Sequence, residues 1–148
     1  SIKNFSLSIL GDGPEKKKLE KMIKEKGLKK KITLLGFKKN IDMYYRKANL
    51  FINASYFEGF PNAVVEAISH NIPVICSNSR GGIKEITLNG RGGDLFPVND
   101  ALALSRRIEL FYQNPYNLHK KNILARKKIT KYSLSYHISK YEKIFSSI

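Results

Sequence analysis

The sequence predicts an α/β fold in which a parallel β-sheet carries helices on both faces. Short apolar runs alternate with amphipathic helical segments as far as about Asn114, which is typical of βα units wound into a parallel sheet. The 148 residues suit one domain, and a hydrophobic fraction of 42% is enough for one buried core. No apolar run approaches the ~20 residues that cross a bilayer, and the first residues lack the pattern of a secretory signal, so a cytoplasmic domain is expected.

Each predicted strand is a short apolar run bounded by glycine, proline or polar residues. The five runs cover residues 5–10, 31–36, 50–55, 73–78 and 92–98. One helix is expected to begin at Pro14, with Leu19, Met22 and Ile23 at helical spacing, and others cover 42–48, 62–69 and 81–87. From about residue 99 only closing helices are expected, over 100–114, 116–131 and 134–148, the first of them capped by Asn99 or Asp100.

The net charge of +15 and the isoelectric point near 9.9 are the strongest compositional features. Such a surplus permits three kinds of partner: nucleic acid, an anionic membrane surface or a phosphorylated small molecule. Most of the surplus lies in lysines spaced along segments such as 14–31 and 119–131, as on any solvated helix face. The sequence has no RGG-like tract, RNP-type aromatic motif or Cys/His metal spacing, which disfavours a dedicated nucleic-acid module. The single Cys76 lies in an apolar run and is interpreted as a buried core thiol.

Four glycine-bearing or polar loops follow the predicted strands. They are "GDGP", "GFKKN", "SYFEGFPN" and "NSRGG". In open α/β sheets, ligands lie beyond the carboxyl ends of the strands, where such loops gather. Glycine lets backbone N–H groups approach an anion closely, and the helices that follow direct partial positive charge to the same place. The loops therefore predict a phosphate-containing ligand.

Two carboxylates, Glu58 and Glu66, are spaced as Glu-x7-Glu around the start of the apolar helix 62–69. Glu66 needs a pairing or hydrogen-bonding partner, since an ionised carboxylate among apolar residues is costly. It lies roughly 7 Å along the helix axis from the helix start. The amides of Asn62, Ala63 and Val64 are expected to be free there. An extended ligand could then place a sugar near Glu58, a diphosphate over the helix start and a ribose near Glu66.

These motifs together resemble a known family. "YFEGFPNAVVEA", followed by "NIPVICSNSRGGIKEI" and preceded by "ILGDGPEKKKLE" and "ITLLGF", is similar to the nucleotide-sugar-binding C-terminal domain of GT-B-fold retaining glycosyltransferases of family 4, or glycosyl transferases group 1. The resemblance extends from about Phe5 to the final helix, with four motifs in the expected order and spacing. It implies a Rossmann-like parallel sheet that forms the C-terminal half of a GT-B protein.

The resemblance also implies roles for particular residues. Glu58 would contact hydroxyls of the donor sugar, as the catalytic residue, and Glu66 would hold the ribose. Pro61 departs from the many members that have glycine there, so the amide usually offered to the diphosphate is missing. The implied diphosphate-binding residues are Gly59, Phe60, Pro61, Asn62, Ala63 and Val64, and the implied base-contacting or cleft-lining residues are Gly11, Gly13, Gly36, Phe37, Gly81 and Gly82.

The implied reaction is retaining transfer of a sugar from a nucleoside diphosphate, UDP most of all, to a glycan or lipid-linked acceptor in surface polysaccharide synthesis. No cofactor or metal is expected, and the sequence has no Asp-x-Asp motif. The acceptor domain, and an Arg and a Lys that neutralise the diphosphate, would lie outside these residues. The chain alone is therefore expected to bind nucleotide weakly without transferring sugar. Its basic helices, such as 15–31, are expected to favour peripheral association with the inner membrane face.

Several alternatives stay open. The chain could be a non-catalytic basic α/β module that binds nucleic acid or resembles a phosphoacceptor regulator. A regulator of that kind needs several acidic residues gathered at the strand ends, and only Asp12 stands at such a place. Two carboxylates could also serve a glycoside hydrolase, which has no use for a phosphate-binding loop. Individually, Glu66 could pair with a lysine or arginine, Asn62 could be a cap, Gly81 and Gly82 could form a tight turn, and His70 could cap its helix.

Overall fold

The computed structural model describes residues 2 and 4–146, and every pair of strands in that part of the chain is parallel. The chain divides into two units, Ser1–Tyr44 and Tyr45–Ile148. The first unit contains β1 (Leu7–Leu10), α1 (Lys16–Glu25) and β2 (Ile32–Gly36), and α2 (Asp42–Lys47) crosses the division. Strand β1 pairs with β2 from Leu7–Ile32 to Leu10–Gly36, with an irregularity in register after Ile9.

The second unit contains a three-stranded sheet in the order β3-β5-β7 and a separate pair of short strands, β4 and β6. Its strands are β3 (Phe51–Asn53), β4 (Phe57–Glu58), β5 (Val74–Ser77), β6 (Arg80–Gly81) and β7 (Asp94–Phe96). Its helices are α3 (Asn62–Ser69), α4 (Ile83–Ile86), α5 (Ala101–Gln113), α6 (Pro115–Ile129) and α7 (Leu134–Phe145), with a 3₁₀ turn (Thr130–Tyr132) before α7. All four residues of β5 are buried, as expected for a central parallel strand.

The core of the second unit lies around α3 and β5. Val64, Ala67 and Ile68 form the buried face of α3, and Cys76 is buried on β5 as the sequence predicted. Asn71 ends α3 at a φ of 63°, and the Ile72 amide donates to the Ala67 carbonyl, a common helix stop. The buried face fixes the rotation of α3 about its axis and thereby the direction in which Glu66 leaves it.

The predicted α/β fold with parallel strands is confirmed, and the element bounds differ in places. Helix α1 begins at Lys16, two residues after Pro14, and the strand predicted over 50–55 covers only Phe51–Asn53. The helix predicted over 81–87 is shortened to Ile83–Ile86 because Gly81 pairs in β6. Asp100 caps α5, with its Oδ1 accepting from the Ala103 amide at 2.8 Å. Residues 147 and 148 of the last predicted helix lie outside the described residues.

Within the described ranges, no helix combines the length and the apolar character that crossing a membrane requires.

Candidate functional site

Glu58 is held at the carboxyl end of β3 by two neutral donors. The Asn53 side-chain amide donates to Glu58 Oε1 at 2.9 Å, and the Ser55 hydroxyl donates to the same oxygen at 2.6 Å. Asn53 is the last residue of β3, so the end of that strand fixes the carboxylate. Burial and, after it, the negative charge of Glu58 together raise the pKa of the Cys76 thiol to about 12. At the end of β5, the Ser77 hydroxyl donates to the Ser55 carbonyl at 2.6 Å, which places the segment just before Glu58 beside β5.

The segment after Glu58 lies against the backbone of Gly81 and Gly82. Gly82 donates its amide to the Gly59 carbonyl at 3.1 Å. A Cβ on Gly81 would lie 1.5 Å from the Glu58 carbonyl oxygen, and one on Gly82 would lie 2.8 Å from Pro61 Cδ. Gly81 also has a φ of +107°, which side-chain-bearing residues rarely adopt. The two glycines are therefore required for the close approach of β6 to β4, and their contact with a ligand stays a prediction.

The start of α3 differs from the expectation that three amides are free. The Asn62 amide donates to the Phe60 carbonyl at 2.9 Å and the Val64 amide donates to the Pro61 carbonyl at 3.0 Å, so the expectation was wrong for these two. The reason is the turn at Pro61, with φ −81° and ψ 72°, which brings local carbonyls to the amides. The Ala63 backbone amide donates no hydrogen bond to any of the described residues. No side-chain cap bond is recorded at this helix start, so Asn62 does not act as a cap.

Glu66 is half-buried and accepts a hydrogen bond from a tyrosine rather than a lysine or arginine. The Tyr45 hydroxyl lies 3.1 Å from Glu66 Oε2 and 3.2 Å from the Ala63 carbonyl oxygen. Tyr45 is only 8% exposed. Burial raises the pKa of Tyr45, and the charge of Glu66 and the hydrogen bond to it raise it further. A neutral hydroxyl therefore donates to the carboxylate of Glu66.

His70 caps α3, as the sequence suggested. Its Nδ1 lies 2.9 Å from the Glu66 carbonyl oxygen, and its ring stacks on Tyr45 with centroids 5.0 Å apart. Tyr45 is the residue that sequence reasoning missed. It stands in "DMYYRKA" beside Tyr44, and nothing local distinguishes the tyrosine that contacts Glu66.

The remaining predicted residues lie in the first unit. Gly11 donates its amide to the Gly36 carbonyl at 2.9 Å, and both have positive φ, 116° and 66°. The ends of β1 and β2 are thus brought together. Phe37 follows with 74% of its surface exposed, and the Gly13 carbonyl accepts from the Lys16 amide at the start of α1. The structure places these four residues at one edge of the two-stranded sheet.

No group of three or more His, Cys, Asp or Glu side chains in the described part of the chain is placed to hold a metal ion. Metal independence of the reaction stays a prediction.

Comparisons with known proteins agree with the motifs. Glycosyl transferases group 1 matches residues 1–132. An uncharacterised glycosyltransferase of Methanocaldococcus jannaschii is 42% identical over 83 residues, covering 56% of this chain and 20% of the relative. An N-acetylgalactosamine-N,N'-diacetylbacillosaminyl-diphospho-undecaprenol 4-alpha-N-acetylgalactosaminyltransferase of Campylobacter jejuni is 36% identical over 97 residues, covering 66% of this chain and 27% of the relative. The crystal structure of Anabaena HepE in complex with UDP has a TM-score of 0.85 at 21% identity, covering 97% of this chain and 41% of HepE.

The chain thus spans 20% and 27% of the lengths of these two curated relatives. At 21% identity, the likeness to HepE shows the fold alone, and that fold is the one predicted. The match over residues 1–132 covers most of the 148 residues. The chain therefore belongs to the glycosyl transferases group 1 family.

Proposed function

We propose that this chain supplies the donor-binding part of a retaining glycosyltransferase that transfers a sugar from UDP to a glycan or lipid-linked acceptor in polysaccharide synthesis. The observation that carries the proposal is the pair of carboxylates at either end of segment 58–66, each fixed by neutral donors. Asn53 and Ser55 fix Glu58, and Tyr45 fixes Glu66.

Neutral donors orient a carboxylate without cancelling its charge. A carboxylate offers about four lone-pair sites, so each group keeps capacity for further hydrogen bonds from sugar hydroxyls. Hydrogen bonds to charged groups contribute roughly 1.5–3 kcal/mol each, more than those between neutral groups. Glu58 is assigned to the hydroxyls of the transferred sugar and Glu66 to those of the ribose.

The diphosphate is assigned to the loop and helix start between the two carboxylates. The Ala63 amide and the dipole of α3 both favour a negative group there. Charge develops on the departing diphosphate during transfer, so oriented amides stabilise the transition state more than the ground state. Pro61 offers no amide, which leaves the sites at Gly59, Phe60 and Ala63 to contribute.

Two of the similar proteins support the substrate classes. HepE was crystallised with UDP, and the name of the Campylobacter jejuni relative describes transfer to an undecaprenol-diphosphate-linked sugar. Both properties belong to those proteins, and we extend them to this chain as part of the proposal.

The proposal is tested by titrating the chain with UDP, GDP, ADP and their sugars, followed by NMR or calorimetry. We expect UDP to bind best and Glu66→Gln to weaken it about 10-fold, because the ribose loses hydrogen bonds to a charge. Glu109→Gln, on the exposed surface of α5, is the matched control and should leave binding unchanged. A nucleic-acid module would be favoured instead if the chain preferred oligonucleotides, if its affinity fell steeply with salt, and if Glu66→Gln left that affinity unchanged.

A further inference from the structure

The loop between β4 and α3 is contacted by an aromatic residue far along the chain. The Phe60 ring meets the Tyr132 ring edge-on, with centroids 5.1 Å apart and an interplanar angle of 66°. Phe60 is 45% exposed, so the tyrosine covers part of a ring that solvent would otherwise surround. The proposed diphosphate loop is therefore in direct contact with the 3₁₀ turn Thr130–Tyr132 that follows α6.

Tyr132 is itself fixed by a pair of charged residues. Its hydroxyl donates to Glu85 Oε1 at 2.7 Å, and Lys131 Nζ donates to the same oxygen at 2.7 Å. The Lys131 ammonium also lies 4.8 Å from the centroid of the Tyr132 ring. The hydrogen bonds from Lys131 and then from Tyr132 lower the pKa of Glu85.

Glu85 connects this contact back to the other side of the same loop. It lies on α4, which begins directly after Gly82, and Gly82 donates its amide to the Gly59 carbonyl. These contacts form a continuous path that begins and ends on the same loop. It leads from Gly59 through α4 to Glu85, and from there through Tyr132 back to Phe60. A loop held at both neighbouring residues has fewer conformations to lose when it binds a ligand.

We infer that Tyr132 is a positioning residue for the diphosphate of the donor, acting through Phe60 and the loop 59–61 without touching the ligand. The inference rests on the proposed function, since it assigns the loop to the diphosphate. The inference goes beyond the proposed function because it gives a role to the 3₁₀ turn after α6, outside the motifs that carry the family resemblance. The nucleoside, whose ribose is assigned to Glu66, should not depend on Tyr132.

The test compares Tyr132→Ala and Tyr132→Phe with the wild-type chain in NMR titrations with uridine and UDP. Tyr132→Ala should weaken UDP about 3- to 10-fold, the range expected for an aromatic pair, and leave uridine within twofold. Tyr132→Phe keeps the ring and loses the bond to Glu85, so about a twofold loss is expected. Tyr116→Ala is the control, because Tyr116 lies on α6, is 62% exposed and also carries a lysine, Lys120, over its ring.

The ligand-free spectra separate this inference from the proposed function. In Tyr132→Ala the amide resonances of Gly59 and Phe60 should move, and in Tyr116→Ala they should not. A wild-type chain that fails to bind UDP would overturn the proposed function, while those resonances would still decide whether Tyr132 holds the loop. Equal weakening of UDP and uridine, or unchanged UDP binding with unmoved resonances, would overturn the positioning role. If Tyr132→Ala does not fold, Tyr132→Phe and Glu85→Ala decide, since the first removes the donor and the second removes the acceptor of the same hydrogen bond.

Discussion

Tyr45 and Glu66 form a contact that combines stability with orientation. The Tyr45 side chain is nearly buried, and its hydroxyl has only the Glu66 carboxylate and the Ala63 carbonyl within hydrogen-bonding distance among the described residues. Removing the hydroxyl leaves a half-buried carboxylate short of one donor, which costs about 1–3 kcal/mol. The rotamer of Glu66 would also become less defined, and with it the site assigned to the ribose.

We therefore expect Tyr45→Phe to lower the free energy of unfolding at pH 7 by about 1–2 kcal/mol, as measured by urea denaturation. The raised pKa of Tyr45 adds a pH dependence with a definite sign. The unfolded tyrosine ionises near pH 10 and the folded one does not, so the wild type loses stability as pH rises above 10. Phenylalanine cannot ionise, so Tyr45→Phe lacks this loss. Above pH 10, the difference in unfolding free energy between the wild type and Tyr45→Phe should therefore narrow by up to about 1.4 kcal/mol per pH unit.

The neighbouring Tyr44→Phe is the control for that comparison. Tyr44 is half-buried, and its change at pH 7 should stay within about 0.5 kcal/mol. Equal losses of unfolding free energy in the two variants would contradict the assigned hydrogen bond. A difference between wild type and Tyr45→Phe that stays constant from pH 9 to pH 11 would contradict the raised pKa of Tyr45.

Single residues also mark the limit of sequence reasoning about this site. Glu58 and Glu66 could be predicted because a charge beside or within an apolar helix needs an explanation that the local sequence does not supply. Tyr45 could not, since its contact with Glu66 spans 21 residues and depends on how α2 meets α3. Tyr132 lies further still, 47 residues from Glu85, and no periodicity or spacing connects the two.

At the scale of elements, the pairing of β4 with β6 is the feature that could not be predicted from the sequence. Each strand has two residues, too short for any alternation of apolar and polar positions to appear. A longer element such as α5 was predictable because its helical periodicity extends over several turns and Asp100 caps its start. Yet the pairing of β4 with β6 places Glu58 beside Gly81 and thereby determines the path of the loop 59–61.

This pairing predicts that adding a single methyl group at Gly81 lowers the free energy of unfolding by an unusually large amount. Gly81→Ala would place a Cβ 1.5 Å from the Glu58 carbonyl oxygen, at a φ of +107°, so β6 must move away from β4. We expect a loss of at least about 2 kcal/mol in the free energy of unfolding, together with loss of nucleotide binding. Thermal unfolding and UDP titration measure the two effects.

Gly59→Ala serves as the stability control for Gly81→Ala. A Cβ at Gly59 meets nothing within 4 Å, so the unfolding free energy should change by less than about 0.5 kcal/mol. If Gly81→Ala were as stable as Gly59→Ala, the close approach of β4 and β6 could not be the reason for a glycine there.

At the scale of the whole molecule, the net charge of +15 is unevenly spread along the sequence. Residues 15–31 contain nine lysines and three glutamates, a net charge of +6 in 17 residues. Three ion pairs there, Lys16 with Asp12, Lys18 with Glu15 and Lys21 with Glu25, are exposed and contribute little to stability. These three pairs therefore do not account for the concentration of charge in this segment.

Four of these lysines line one groove with the single carboxylate Glu20, so its charged residues carry a net charge of +3. The lining lysines are Lys17, Lys21, Lys24 and Lys29, and Ile23, Ile32, Thr33 and Leu34 complete the lining. A groove that combines ammonium groups with apolar side chains suits an anionic phospholipid surface, where each lysine contributes about 1 kcal/mol. We expect the chain to sediment with vesicles of phosphatidylglycerol and phosphatidylcholine, and to be released by salt as the charges are screened. Neutralising three of the lysines, as Lys17→Gln, Lys24→Gln and Lys29→Gln, should weaken binding about 10- to 100-fold.

A variant of equal net charge separates the groove from the overall charge. Lys120→Gln, Lys127→Gln and Lys128→Gln neutralise three exposed lysines on α6 and leave the groove intact. If the field of the whole molecule drew it to the membrane, both triple variants would lose affinity equally, because each removes the same charge. If the groove is the contact, only its own variant should lose most of the binding, because that variant alone removes lysines from the groove. Sedimentation with pure phosphatidylcholine that matches the anionic vesicles would exclude both forms of electrostatic attachment.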